Sequence, residues 1–103
     1  MATQSATKSL AKLRKEGYLC AMVERWNKFA GVRQDLYGFI DILAIREGEI
    51  LGVQTTSLNC FAEHVKKISK HKNLIPVKKS GIKIVLHGWF LGEKKWECKE
   101  KIF

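Results

Sequence analysis

Proline occurs once in this chain, at Pro76, and no Pro-, Gly- or Ser-rich stretch reads as a linker. Internal repeats and low-complexity tracts are lacking too. At 103 residues the length is near the commonest size of one domain, so these absences predict a single domain over residues 1–103. Cysteine is scarce: Cys20, Cys60 and Cys98 are odd in number and none stands at CxxC spacing. A disulfide framework and a classical zinc site are both left without support, and buried, reduced thiols are expected. The uncharged run Leu51 to Ala62 contains Gln, Thr, Ser and Asn, so no segment is expected to cross a bilayer. Met1 to Ser9 has no apolar stretch of the signal-peptide kind. The expectation is a cytoplasmic protein with no membrane partner.

Acids are missing from one long segment. Residues 64–83 carry seven Lys and no Asp or Glu, whereas residues 17–63 carry six acids and four bases. The net charge is +9. An excess of Lys for solubility alone would not gather the acids in the most apolar third of the chain. The layout suits a protein that grips a polyanion and holds carboxylates, with a metal, at its centre.

Ser5 to Glu16 reads as a helix, with Ala6, Leu10 and Leu13 at helical spacing and Gly17 ending it. Tyr18 to Val23 is short and apolar, a strand expected to be buried on both faces. A polar connection follows from Lys28 to Gly38. Phe39 to Ile45 and Ile50 to Thr56 read as strands joined by Arg46-Glu47-Gly48-Glu49 into an antiparallel hairpin. Ser57 is placed to cap a helix whose stripe is Leu58, Phe61, Ala62, Val65 and Ile68. Asn73 to Ser80 is a helical turn or loop closed by Gly81. Ile82 to Phe90 and Trp96 to Phe103 read as two more strands, the last at an edge because its apolar residues alternate with charges. The class is α+β: a mixed central sheet of about five strands with flanking helices, in the order αβββαββ.

Asp41 is the anomaly, because a carboxylate in an apolar strand is expensive to bury without a partner. Alternation puts Asp41, Leu43 and Ile45 on one side and Ile40, Ile42 and Ala44 on the other. Gln54 and Thr56 share a face of the next strand, so pairing would bring Asp41 and Gln54 to one polar spot. A hard cation such as Mg²⁺ takes oxygen ligands of this kind. The alternative is an Asp satisfied by Arg25 or Arg33, with Gln54 bonded to backbone.

The segments Gly38-Phe39-Ile40-Asp41-Ile42-Leu43-Ala44-Ile45 and Leu51-Gly52-Val53-Gln54-Thr55-Thr56-Ser57 resemble the core of the PD-(D/E)XK nuclease superfamily. The likeness is to its archaeal Holliday-junction-resolvase-like and small phage and bacterial branch, and extends from Leu10 to about Lys70. It implies a restriction-endonuclease-like core, with a helix, a strand meander and a second helix. By that resemblance Asp41 is the metal-binding Asp, Gln54 stands where the family has Glu, and Thr56 where it has Lys. Gln keeps one oxygen ligand and loses a charge. Thr cannot replace the Lys that positions water and steadies the developing phosphorane charge. Lys66, Lys67 and Lys70 on the following helix are the candidates to supply that amine. The host compartment implied is the cytoplasm of a bacterial, archaeal or phage-infected cell.

Other residues extend the candidate site. Glu24 offers a second carboxylate, or else pairs with Arg25 at the surface. Asp35 lies in the loop before the motif, where the milder role is loop capping. Arg33 can fork onto a phosphate or pair with Asp35. Lys66, Lys67, Lys70 and Lys72, with Arg25 and Arg33, are the candidate phosphate contacts, and no helix-turn-helix, zinc-finger or RNP motif adds base readout. His64 and His71 read as surface residues and His87 as a satisfied sheet histidine. Trp26, Trp89 and Trp96 suit either base stacking or packing. The expectation is therefore a Mg²⁺- or Mn²⁺-dependent DNA endonuclease. Its metal ligands are Asp41, Gln54 and Glu24, its substrate is branched DNA in recombination or repair, and it works as a homodimer joined near Trp96 or Ile102-Phe103. The alternative is a catalytically silent DNA-binding or interaction module on the same fold.

Overall fold

The structure, a computed structural model, describes residues 3–103. Met1 and Ala2, at the head of the segment read for a signal peptide, lie outside the described residues. Helix α1 (Gln4–Lys15) begins where Thr3 Oγ1 accepts the Ala6 N–H at 3.1 Å. It ends at Gly17, whose φ of +94° favours glycine. Lys12, Arg14 and Lys15 in its last turn complement the negative end of the helix dipole.

Strands β1 (Leu19–Met22), β4 (Ile42–Arg46), β5 (Glu49–Ser57), β6 (Lys83–Leu91) and β7 (Trp96–Ile102) form one mixed sheet in the order β1-β4-β5-β6-β7. Neighbours are antiparallel except β5 and β6, which run parallel because the chain crosses over between them through α2 (Phe61–Ser69) and α3 (Leu74–Lys79). Alternation along the strands builds two cores. One buries Ile42, Ala44, Leu51, Val53 and Val85 with Leu13 and Tyr18. The other buries Ile84 and Leu86 with Phe39, Ile40, Phe61, Ile68 and Val77. The Phe61 ring lies directly on Gly88, where any Cβ would overlap it, so this glycine lets α2 approach the sheet. The α+β class, with a five-stranded mixed sheet between helices, follows from these packings. Among the described residues no helix is long and apolar enough to cross a membrane.

Several expectations are corrected. The first strand is not buried on both faces: β1 is an edge strand, with Cys20 and Met22 packed on the α1 core and Leu19 72% exposed. The stretch read as a polar connection contains a ribbon, β2 (Arg25–Asn27) paired antiparallel with β3 (Val32–Gln34). This ribbon and α3 are additions to the order αβββαββ. Asp41 does not sit within a strand; it is a bend at the mouth of β4, so Ile40 and Ile42 enter different cores instead of sharing a face. Ser57 makes no side-chain cap, because a 3₁₀ turn (Leu58–Cys60) precedes α2 and leaves Leu58 39% exposed. All three thiols are free and half-buried.

Candidate metal centre

Backbone pairing sets the position of Asp41. Its N–H donates to Val53 O and its carbonyl accepts from the Val23 N–H, both at 2.9 Å, so it is held between β5 and the end of β1. Glu24 follows Val23 directly and is thereby brought to the same place. Asp35 arrives through a tight turn: the Gly38 N–H donates to Asp35 O, Leu36 and Ile40 bridge each other, and the chain doubles back into Asp41. Tyr37, at the apex, has a φ of +56°, an unfavourable conformation for a bulky side chain. Asn73 Nδ2 donates to its carbonyl at 2.9 Å. Glu24, Asp35 and Asp41 each present a carboxylate oxygen, and the three oxygens lie within 4.8 Å of one another.

Strand β5 grips the Asp41 carboxylate from the other side. Asp41 Oδ2 accepts from Gln54 Nε2 at 2.9 Å, the Thr55 N–H at 2.9 Å and Thr55 Oγ1 at 3.1 Å. Three donors on one oxygen favour the ionised form. Burial works against them, and it is the largest influence. Together with a hydrogen bond to Asp35 and the charges of Asp35 and Glu24, it pushes the Asp41 pKa up to about 8, with the Thr55 N–H pulling the other way. Arg33 gives Glu24 a counter-charge, whereas Asp41, buried beside two other carboxyls, is left favouring its protonated form.

Gln54 Oε1 is buried and, among the described residues, has no hydrogen-bond partner. An orphaned buried oxygen costs about 1–3 kcal/mol. The clustered carboxylates are hard donors that suit Mg²⁺ or Mn²⁺, while Gln54 presents its amide nitrogen to Asp41 and would have to turn over to add its oxygen. Glu24, Asp35 and Asp41 thus fit the divalent cation that the sequence resemblance implies.

The structure brings together Asp41, Gln54 and Glu24 and adds Asp35, for which loop capping had been the milder expectation. Thr55 was missed as well. Its signal is only that a carboxylate at a strand mouth meets the backbone N–H of the neighbouring strand and whichever side chain stands there. Thr56 is buried two residues beyond Gln54, but Asp41's partners are Gln54 and Thr55. Arg33 Nη1 pairs with Glu24 Oε1 at 3.1 Å, neither with Asp35 nor with Asp41, and Arg25 does not pair with Glu24. Lys66, Lys67, Lys70 and Lys72 are exposed. Among the described residues none of them forms an ion pair with the acids. The turn of α2 explains this, since Phe61 and Ile68 face the core and the lysines point elsewhere.

The histidines differ from expectation in part. His71 is no surface residue: it meets the Phe39 ring edge-on at 5.1 Å, and its Nδ1 accepts the Asn73 N–H at 3.0 Å. His64 is half-buried, with Nδ1 2.9 Å from Cys60 O. His87 is a satisfied sheet histidine, within a second polar cluster. Trp89 Nε1 donates to Ser9 Oγ at 2.8 Å, so the Ser9 hydroxyl hydrogen goes to His87 Nδ1, also at 2.8 Å. That leaves the Nε2–H for Glu100 Oε1 at 3.0 Å. Burial is the main cause lowering the His87 pKa. Ser9 is wholly buried on the inner face of α1, so the hydroxyl of this Ser-His-Glu chain is closed to a substrate. In comparisons with known proteins, no family model, curated protein or solved structure matches the chain.

Proposed function

We propose that this protein is a divalent-metal-dependent DNA endonuclease acting on branched DNA. The observation that carries the reading is the convergence of Glu24, Asp35 and Asp41, whose carboxylate oxygens lie within 4.8 Å of one another. Support also comes from the fold: a first helix, then the antiparallel meander β1-β4-β5 bearing Asp41 and Gln54, then a second helix, in keeping with the PD-(D/E)XK resemblance. A Mg²⁺ or Mn²⁺ ion held by these residues would supply Lewis-acid polarisation of a phosphodiester and an acidified water. The protein's own part is positional. Gln54 and Thr55 fix the Asp41 carboxylate, Arg33 fixes Glu24, and the acid-free segment holding Lys66, Lys67, Lys70 and Lys72 supplies phosphate contacts without base readout. Symmetric cutting of a junction would require a two-fold dimer. The β7 edge near Trp96 and Ile102, 47% and 60% exposed, is open for that contact, whereas Phe103 packs on the core.

Two observations favour a silent DNA-binding module instead: among the described residues no lysine is paired with Glu24, Asp35 or Asp41, and Gln54 turns its amide nitrogen toward Asp41. The test is cleavage of labelled four-way junction, flap, single-stranded and duplex DNA in Mg²⁺ or Mn²⁺. Asp41→Asn is the control, since it keeps an acceptor for the Thr55 N–H. Metal-dependent cutting that falls at least about a hundredfold in Asp41→Asn, the size of effect seen when an electrostatic catalytic group is lost, is the expected result. Binding without cutting by the parent protein decides for the silent module.

A further inference from the structure

From Arg25 to Gln34 every residue but Asn27 is exposed, and the composition is unusual for a solvent-facing turn. Trp26 is 62% exposed, Phe29 93% and Val32 48%, with Arg25, Lys28 and Arg33 between them. Large exposed aromatics on a small protein mark a contact surface. The backbone turn that presents them is closed by hydrogen bonds: Asn27 Oδ1 accepts the Phe29 and Ala30 N–H groups at 3.0 and 3.1 Å, and the Gly31 N–H donates to Asn27 O at 2.9 Å. The ribbon grows directly from the acid cluster. Glu24 precedes its first strand and Asp35 follows its second. Trp26 stands opposite Arg33, and Arg33 bonds Glu24. Within the ribbon, period-2 alternation puts the pair Trp26–Arg33 on one side and the pair Arg25–Gln34 on the other. Two clefts of about 390 and 430 Å³ meet at Arg25 and Gln34, one reaching Trp26 and Phe29, the other Asp35.

From this arrangement we infer that the β2–β3 ribbon is a base-stacking arm: Trp26 and Phe29 take unpaired nucleobases of a DNA strand whose backbone runs past Arg25 and Lys28 toward the acid cluster. The inference rests on the nuclease reading for the direction of that strand. Its chemistry stands independently. Alternating cations and aromatic faces is the arrangement that holds single strands, with the cations on phosphates and the rings on bases without regard to sequence. A blunt duplex offers no free base face to either ring. The arm thus accounts for a preference for branched or frayed DNA by this chain's own residues, without a base-reading motif.

The experiment is metal-free binding in EDTA, read by anisotropy of a labelled short oligothymidylate and of a labelled blunt duplex, with tryptophan emission followed in parallel. The parent protein should bind the single strand with quenching of Trp26 emission. The double variant Trp26→Ala/Phe29→Ala should lose at least about tenfold in single-strand affinity while duplex affinity changes by no more than about twofold. Trp26→Phe should retain most of the binding. Both residues are exposed, so the variants should melt as the parent does. Equal single-strand affinity in parent and double variant overturns the inference, as does an equal loss on both DNAs. It also falls if parent dimers seen by sedimentation dissociate in the double variant, which would assign the aromatics to a protein interface. Stacking without any cutting in Mg²⁺ sinks the nuclease reading alone; cutting with an unaffected double variant sinks the arm alone.

Discussion

Two polar clusters lie inside this small protein, and they are built on opposite principles. Around Ser9, His87 and Trp89 every donor meets an acceptor, the imidazole is kept neutral, and its outer nitrogen reaches a half-exposed glutamate. Around Asp41 three carboxyls crowd one another, one carboxyl is driven far above its ordinary range, and an amide oxygen next to it has no partner among the described residues. The first cluster fastens α1 to β6 and is complete by itself. The second is only partly compensated, by Arg33 on Glu24 and by the donors of Gln54 and Thr55 on Asp41. Thr55 stands beside His87 in the parallel register of β5 and β6, so the two arrangements are one strand apart. The contrast separates a polar cluster satisfied within the fold from one the fold leaves unsatisfied, the kind of place where functional sites are found.

Breaking the satisfied cluster should have the largest effect on stability. Ser9→Ala strands His87 Nδ1 and Trp89 Nε1 in the core, and unfolding should become easier by about 2–4 kcal/mol, read from urea denaturation. The same substitution should leave Mg²⁺ binding to the acid cluster unchanged.

The next largest effect sharpens the comparison through pH. His87, lowered from its ordinary 6.5, takes up a proton more readily in the unfolded chain, so its contribution is complete above about pH 6.5 and is lost as pH falls below it. Asp41 works in the reverse sense. Its folded pKa of about 8 lies above the ordinary 3.8, so the folded form binds the proton more tightly and stability declines as pH rises from about 4 to 8. The two slopes oppose each other below pH 6.5 and only the Asp41 slope remains above it. Without metal, thermal melts should therefore show a loss of roughly 1 kcal/mol per pH unit between 6.5 and 8. Saturating Mg²⁺ should remove that loss at pH 8 and do little at pH 5. A flat profile above 6.5 would show that the carboxyls are not strained.

Gln54→Glu makes the unsatisfied cluster more so. It should lower the melting temperature without metal and raise Mg²⁺ affinity about tenfold, equivalent to about 1.4 kcal/mol, by calorimetric titration. A fall in stability with no gain in affinity would remove the cation from the account. The smallest effect on the fold belongs to the exposed lysines. Replacing Lys66, Lys67, Lys70 or Lys72 by Ala should change stability by no more than about 0.5 kcal/mol. Each should lower the salt dependence of DNA binding by about one ion.

Much of the frame was legible in the sequence. Leu10 and Leu13 with Gly17 announced α1, and Glu47-Gly48 announced the turn between β4 and β5. The spacing of Phe61, Val65 and Ile68 announced α2, and the alternation through Trp96, Cys98 and Ile102 an edge strand. The meeting of Asp41 with Gln54 was also readable, because both interrupt apolar runs in strands expected to pair. The ribbon was not, since Arg25-Trp26-Asn27 and Val32-Arg33-Gln34 are short and solvent-facing and leave no hydrophobic periodicity to detect. For the same reason Asp35 could not be assigned: only the ribbon and the Tyr37 turn carry it back to Asp41. The edge position of β1 was hidden because apolar content alone does not reveal which face a helix will cover.

The acid cluster is also a joint. Asp41 is fixed to the central sheet by backbone bonds to Val53 and Val23, while Glu24 and Asp35 are the two roots of a protruding two-stranded ribbon. Anything that bridges the three carboxylates ties a lever to its pivot. Proton sharing makes that tie weak and pH-sensitive, whereas a divalent ion would make it stiff. On the proposed reading, the angle at which Trp26 and Phe29 are presented would then be set by the occupant of a site at the other end of the ribbon, and the loading of the centre and the reach of the arm would be a single mechanical variable.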